Sequence, residues 1–178
     1  MDRHAKYSIP FAGMAKGDHR FEYEVDDAFF KTFENSVIKK AQVHVVLDFL
    51  KAETVLTLSF HFKGEIEQTC DRCLEEFKIP VDKTQILLVR FGEPGVGETD
   101  DIIVISHSDH HINVAQHIYD YLSLSIPIRV VHPDDEDGNP TCNPEFLKKL
   151  SGIVEEEKTN KDVDPRWEVL KNLSKRKN

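Results

Sequence analysis

The chain has 178 residues, of which 39% are hydrophobic and 31% are charged, and its formal net charge at pH 7 is −9. This length is enough for one well-packed core with short appendages, while the excess of acids argues against a protein that coats nucleic acid over its whole surface. No run of about 18 apolar residues occurs, so the sequence does not predict a transmembrane helix.

The N-terminal residues do not have the pattern of a secretory signal peptide, because the positive charges of Arg3 and Lys6 are followed by no apolar stretch. The chain has three cysteines, and an odd number of cysteines without an export signal is typical of a reducing compartment. We therefore expect a cytoplasmic protein.

Alternating apolar and polar residues predict β-strands through most of the first hundred residues. The alternation is clearest in two neighbouring runs that we expect to form an antiparallel hairpin, residues 43–50 and 56–62. A short continuous apolar run, residues 102–105, is typical of a buried strand. The other predicted strands comprise residues 7–11, 21–25, 77–81 and 86–91.

Three segments before residue 151 predict helices. Two aspartates precede the aromatic run 28–33, and acids at a helix start favour a short helix there because they complement the helix dipole. Apolar residues at i, i+4, i+7 and i+8 from Val114 predict a second helix, which must end before Pro127. A proline at position 144 favours the start of a third short helix.

These elements predict an α+β fold with a mainly antiparallel β-sheet in the N-terminal two thirds, from about Phe21 to Ile105, and C-terminal helices. We expect one α+β domain over residues 1–151. An acidic segment without apolar periodicity, 152–164, predicts a linker, and 165–178 predicts a C-terminal helix with a basic tail.

The three cysteines predict a metal site. Cys70 and Cys73 stand at C-x2-C spacing where two predicted strands meet, as in a zinc-ribbon knuckle, and this spacing lets both sulfur atoms point to one metal ion. Cys142 lies among turn residues and supplies a third thiolate. A tetrahedral zinc needs a fourth ligand, for which His132 and Glu145 are both available. We favour His132, because imidazole suits structural zinc better than a carboxylate does, and keep Glu145 as the alternative.

The same thiols allow two other interpretations. In the first, Cys70 and Cys73 are exposed thiols in a turn, Cys142 is unrelated to them, and no metal is bound. A thioredoxin-like redox pair would require the C-x2-C motif at the start of a helix, where the helix N-terminus lowers the thiol pKa. The strands predicted on both sides of the motif disfavour that arrangement.

No motif of a known catalytic type occurs in the sequence. It has no phosphate-binding glycine loop, no dinucleotide-binding fingerprint and no nucleophile elbow. His107, His110 and His111 cluster with Asp109, but they lack the spacing of a motif on a helix face, so we interpret them as a polar loop. We therefore expect a protein that is not an enzyme.

Charged segments indicate what kind of partner to expect. Lysine pairs at 39–40 and 148–149 and the basic run 171–177 are candidates for contacts with RNA phosphates, although solvated charge is the usual explanation. The acidic runs 134–137 and 155–157 would more naturally meet a basic ribosomal protein than RNA.

Several of these motifs, in this order, resemble the YceD family of large ribosomal RNA subunit accumulation proteins. Residues 69–74 (TCDRCL) are similar to the family's C-x-R-C-L signature, and residues 120–127 (DYLSLSIP) to its acid-x-L-x-L-x-hydrophobic-Pro segment. Residues 164–166 (DPR) look like the start of its closing helix. The resemblance covers roughly residues 70–173.

The chain differs from many members of that family in its C-terminal cysteines. Where those members have a second C-x2-C pair, this chain has Cys142 with Glu145, and His132 takes the place of a further cysteine. A Cys3His site is therefore compatible with the resemblance.

The resemblance implies a role in the accumulation or processing of large-subunit ribosomal RNA, and it implies no chemical reaction. We expect a non-enzymatic ribosome biogenesis factor whose partner is precursor ribosomal RNA or a ribosomal protein, and neither DNA nor a membrane. The alternatives are an RNA-processing enzyme and a thiol or zinc sensor that uses the C-x2-C pair. The sequence does not predict the oligomeric state.

Overall fold

The computed structural model describes residues 4–149 of the chain. The chain divides into two compact units, Met1–Val131 and His132–Asn178. The predicted linker and C-terminal helix, residues 152–178, and the domain boundary predicted before them lie outside the described residues.

The first unit contains strands and short helices. Its α-helices are α1 (Asp27–Phe30) and α2 (Ala115–Ser123), and single 3-10 turns lie at Ala5–Tyr7 and Phe11–Gly13. Its strands are β1 (Ser8–Ile9), β2 (Gly17–Val25), β3 (Lys40–Lys51), β4 (Val55–Thr69), β5 (Glu76–Phe91), β6 (Ile102–Ile105) and β7 (Ile112–Asn113).

Five of these strands form one sheet in the order β2-β3-β4-β5-β6. The first four are antiparallel to their neighbours, whereas β6 runs parallel to β5. The strands β1 and β7 pair in a separate two-stranded antiparallel sheet. This arrangement confirms the predicted α+β fold with a mainly antiparallel sheet.

The hairpin β3–β4 is confirmed, with a tight connection between Lys51 and Val55. The strands predicted at 77–81, 86–91 and 102–105 are also present, with two differences. Residues 77–81 and 86–91 belong to one strand, because the polar residues between them stay extended by pairing with β4. The run 102–105 is half-buried and not buried as predicted, because β6 lies at the edge of the sheet.

The core lies on one face of the sheet. Alternate side chains of β3 and β4 point to this face and are fully buried, as in the cross-strand pairs Val45–Phe62 and Leu47–Phe60. The opposite face carries charged residues, among them Asp48, which accepts a hydrogen bond from Arg20 Nε at 2.7 Å. That hydrogen bond and the positive charge of the guanidinium lower the pKa of Asp48. One face of the sheet is therefore packed and the other is solvated.

The helix predicted from Val114 is confirmed as α2. It buries Ile118 and Leu122 in the core and ends at Ser123, before Pro127. Its start is stabilised by Asn113, whose Oδ1 accepts a hydrogen bond from the backbone N–H of Ala115 at 2.9 Å. No helix within residues 4–149 has both the length and the apolar character needed to cross a membrane.

Helix α1 begins where the aspartates predict it, but it is shorter than expected. The carboxylate of Asp26 accepts hydrogen bonds from the backbone N–H groups of Ala28 and Phe29 at 3.1 and 3.2 Å, so Asp26 is the N-cap. The helix ends at Phe30, and the positive φ of Asn35 (57°) accompanies the turns that follow. One turn of helix is enough to bury Phe29 and Phe30.

Replacement of Asp26 by alanine is expected to lower the free energy of unfolding by about 1 kcal/mol, because two backbone N–H groups lose their capping acceptor. Urea denaturation followed by circular dichroism measures this loss. Glu34→Ala is the control, since Glu34 is an exposed acid just beyond the same helix. Equal unfolding midpoints for the two variants would contradict the capping role.

Candidate metal centre

The turn between β4 and β5 positions Cys70 and Cys73. The backbone N–H of Cys70 donates to the carbonyl of Glu75 and that of Leu74 donates to the carbonyl of Cys70, both at 2.9 Å. Leu74 adopts a left-handed backbone conformation with φ of 62°, which lets the chain turn back into β5. The N–H of Arg72 lies 3.4 Å from the sulfur of Cys70, a contact that favours a negatively charged sulfur.

Both cysteines of this turn are buried. The exposed fraction is 0% for Cys70 and 4% for Cys73. Burial contradicts the alternative in which they are exposed thiols. The motif also lies between two strands and not at the start of a helix, so the arrangement that lowers the thiol pKa in thioredoxin-like pairs is absent at this turn.

Asp71, the residue between the paired cysteines, binds the chain segment that leads to His132. Its backbone N–H donates to the carbonyl of Val130, and its carboxylate accepts from the N–H of Val130, both at 2.7 Å. This two-sided contact fixes Val130 beside the turn, only two residues before His132. This contact was not predictable from the sequence, because no local signal pairs residues 59 positions apart.

In the second unit, a compact loop brings Cys142 next to His132. The carboxylate of Asp135 accepts hydrogen bonds from the N–H groups of Asn139 and Asp137 at 2.7 and 3.0 Å, and these bonds lower the pKa of Asp135. The hydroxyl of Thr141 donates to the carbonyl of Pro133 at 2.6 Å. The loop therefore turns back on itself just before Cys142.

The distance between the sulfur of Cys142 and Nδ1 of His132 is 3.6 Å. A tetrahedral zinc with Zn–S of about 2.3 Å and Zn–N of about 2.0–2.1 Å would separate a sulfur from a nitrogen ligand by about 3.6 Å. The spacing of these two side chains thus fits one edge of a zinc tetrahedron.

Cys70, Cys73, His132 and Cys142 form a cluster that could bind a metal ion, with ligand atoms all within 4.8 Å of one another. Three sulfurs and one imidazole nitrogen are a donor set typical of structural zinc. Glu145, the alternative fourth ligand, is not a member of this cluster. It is exposed in the helical segment 144–149, where its N–H donates to the side chain of Asn143 at 3.0 Å.

The predicted histidine loop has a structural explanation. The carboxylate of Asp109 accepts a hydrogen bond from the N–H of Ser106 at 2.9 Å, which closes the turn. The ring of His107 stacks on Phe91 at 5.6 Å between centroids. Phe91, His107, Asp109 and His110 are among the residues that line a cavity of 360 Å³.

The lysines considered for RNA contacts differ in their surroundings. Lys40 forms ion pairs with Glu67 and Glu76, and the hydrogen bonds and negative charges of these glutamates raise the pKa of Lys40. Its charge is therefore already neutralised within the protein. Lys148 and Lys149 are exposed in the helical segment 144–149, and the basic run 171–177 lies outside the described residues.

Comparison with known proteins gives one family. The YceD family, described as "Large ribosomal RNA subunit accumulation protein YceD", matches residues 58–174, which include all four members of the cysteine–histidine cluster. No curated protein and no solved structure matches the chain. The family description supports a role related to ribosome biogenesis. Since the match covers more than half of the sequence, the chain belongs to the YceD family.

Proposed function

We propose that the chain is a non-enzymatic ribosome biogenesis factor that acts in the cytoplasm and supports the accumulation or processing of large-subunit ribosomal RNA. It does so by binding precursor ribosomal RNA, a ribosomal protein, or both. The observation that carries this proposal is the family match over residues 58–174. The lack of a recognisable catalytic motif in the sequence supports a binding role over a chemical one.

The cysteine–histidine cluster has a structural role in this proposal. Cys70, Cys73, Cys142 and His132 hold one zinc ion. Burial of both paired cysteines and the tetrahedral spacing of His132 and Cys142 support this assignment. Zinc that only connects chain segments has four protein ligands and no open position for a substrate.

Purified protein is expected to contain about one zinc per chain. Elemental analysis of protein prepared without a metal-affinity tag measures this ratio. Folded protein without zinc or any other transition metal would overturn the structural-zinc assignment and leave the family role untouched.

The biogenesis role is tested by the sedimentation of the native protein in density gradients of cell lysate. We expect it to migrate with precursor large subunits at low salt and to leave them at high salt, because charged contacts to ribosomal components weaken as ions screen them. A protein that stays at the top of the gradient at both salt concentrations contradicts stable association with precursors.

The alternative of an RNA-processing enzyme makes a different prediction. Purified chain incubated with precursor large-subunit RNA would cleave it, and a point mutation in the chain would abolish the cleavage. We expect intact RNA. The sensor alternative predicts that oxidation or zinc removal changes association with precursors in cells, whereas a purely structural zinc changes only the stability of the protein.

A further inference from the structure

The segment that follows α2 exposes an unpartnered apolar ridge. The exposed fraction of Leu124 is 77% and that of Ile128 is 107%, the two highest values among the large apolar side chains of residues 4–149. Pro127, between them, is also exposed, whereas Ile126 packs against the core. The segment is therefore anchored by Ile126 and Val130 and presents its other apolar side chains to solvent. Such exposure is costly in water unless a partner covers it.

An acidic cavity adjoins this ridge. It has a volume of 620 Å³ and is lined by Leu124 together with Asp100, Asp101 and Asp120. No lysine or arginine is among its lining residues in the described chain. Burial lowers the pKa of His117, which also lines the cavity, and so disfavours a positive charge there that would offset the carboxylates.

Two further lining residues present hydroxyl groups. The side-chain oxygens of Tyr121 and Ser123 are buried and have no hydrogen-bond partner in the described part of the chain. Both oxygens can accept a hydrogen bond. If these side chains rotate toward the cavity, N–H donors of a ligand would satisfy both oxygens, while the carboxylates of Asp100, Asp101 and Asp120 would repel a phosphate.

The stretch of sequence that contains the ridge has the same charge asymmetry. Between residues 91 and 131 Arg129 is the only lysine or arginine, against six carboxylates. The carboxylates are Glu93, Glu98, Asp100, Asp101, Asp109 and Asp120. This field attracts a positively charged partner and repels nucleic acid.

We infer that the ridge formed by Leu124 and Ile128, with the acidic cavity beside it, is the docking surface for a basic protein segment. A lysine or arginine of that segment enters the cavity and pairs with Asp100, Asp101 and Asp120, while a neighbouring apolar side chain covers the ridge. Arginine, aromatic residues and methionine are enriched at the centres of protein interfaces, so an arginine beside an apolar side chain suits this surface best. The inference rests on the proposed function, which makes the partner a ribosomal protein of the large subunit.

Individually purified large-subunit ribosomal proteins are the probes, and fluorescence anisotropy of the labelled full-length chain measures their binding. We expect at least one to bind, and its Kd to rise by about tenfold or more with Leu124→Ser/Ile128→Ser and with Asp100→Asn/Asp101→Asn. Val37→Ser and Asp18→Asn are matched controls, because Val37 is exposed to 61% and Asp18 is an exposed acid on β2. The controls are expected to change Kd by less than about twofold.

All four variants replace exposed or cavity-lining side chains, and circular dichroism melts establish that each is folded. Two results would overturn the docking surface. In the first, the ridge and cavity variants weaken the binding of no purified ribosomal protein. In the second, they weaken the binding of deproteinised large-subunit RNA instead. The gradient experiment tests the docking surface and the biogenesis role separately. If the wild-type chain and the Leu124→Ser/Ile128→Ser variant both migrate with precursors, the docking surface is refuted and the biogenesis role stands. If the wild-type chain does not migrate with precursors, the biogenesis role itself is refuted.

Discussion

Replacement of Cys70 by serine is expected to lower the free energy of unfolding by about 3 kcal/mol or more, because a structural metal contributes its binding energy directly to folding. For a chain of this length the melting temperature would fall by roughly 6–12 °C. Cys70 is completely buried at the end of β4 and belongs to the four-residue cluster, so its substitution removes one of the four donors. Thermal unfolding followed by circular dichroism measures the effect.

Serine also leaves a buried hydroxyl where a sulfur was, which by itself costs about 1–3 kcal/mol. Chelation separates the two causes. A strong zinc chelator should lower the melting temperature of the wild-type chain to near that of Cys70→Ser and should leave the variant unchanged. If the wild-type chain melts at the same temperature with and without chelator, the metal does not stabilise the fold.

The choice of fourth ligand has its own pair of variants. His132→Asn is expected to reduce both zinc content and melting temperature, because Nδ1 of His132 lies 3.6 Å from the sulfur of Cys142. Glu145→Gln is the matched control, since Glu145 is exposed and outside the cluster, and it should change neither quantity. The reverse result would assign the fourth ligand to Glu145.

Amide hydrogen exchange locates the effect in the chain. The N–H of Val130 donates to the carboxylate of Asp71, inside the C-x2-C turn, so its protection depends on the geometry of that turn. Loss of Cys70 should increase exchange at Val130 and in the loop 132–142, whereas the middle of β3 should remain protected. A uniform increase over the whole first unit would indicate global destabilisation instead.

The strands and the candidate metal site were predictable because their signals are local. Alternation in β3 and β4 reports which side chains face the core, and a hairpin needs only a short turn between two such runs. The C-x2-C pair is local in the same sense. Its association with Cys142 and His132 could be inferred from donor chemistry, because few other residues complete a set that suits zinc.

The features that sequence reasoning missed depend on contacts between distant residues. For β6 to pair in parallel with β5, the loop 92–101 must return the chain to the start of the paired segment of β5. The composition of that loop does not predict the direction of the strand that follows it. The pairing of β1 with β7 joins two-residue strands about a hundred positions apart. The contact between Asp71 and Val130 is of the same kind, since its aspartate looks like any turn residue in the sequence.

Replacement of Gly64 by alanine is expected to destabilise the protein by about 3 kcal/mol, because β3 and β4 approach too closely there to admit a side chain. Gly64 pairs with Val43, and a β-carbon on Gly64 would lie 2.1 Å from the carbonyl oxygen of Gln42 and 2.7 Å from the Cα of Val43. Both atoms belong to the backbone of a central strand, so the strand itself would have to move.

That movement would also disturb the packing of the core, since the neighbouring inward residue Phe62 is buried against the same face. Urea denaturation measures the loss, and Gly13→Ala is the matched control because its added β-carbon would meet no atom within 4 Å. The control is expected to be neutral or slightly stabilising, as alanine reduces the entropy of the unfolded chain. Equal unfolding midpoints for the two variants would mean that β3 and β4 tolerate separation at this point. The part of β4 beyond Gly64, which leads to the cysteine turn, would then not need close contact with β3 for its stability.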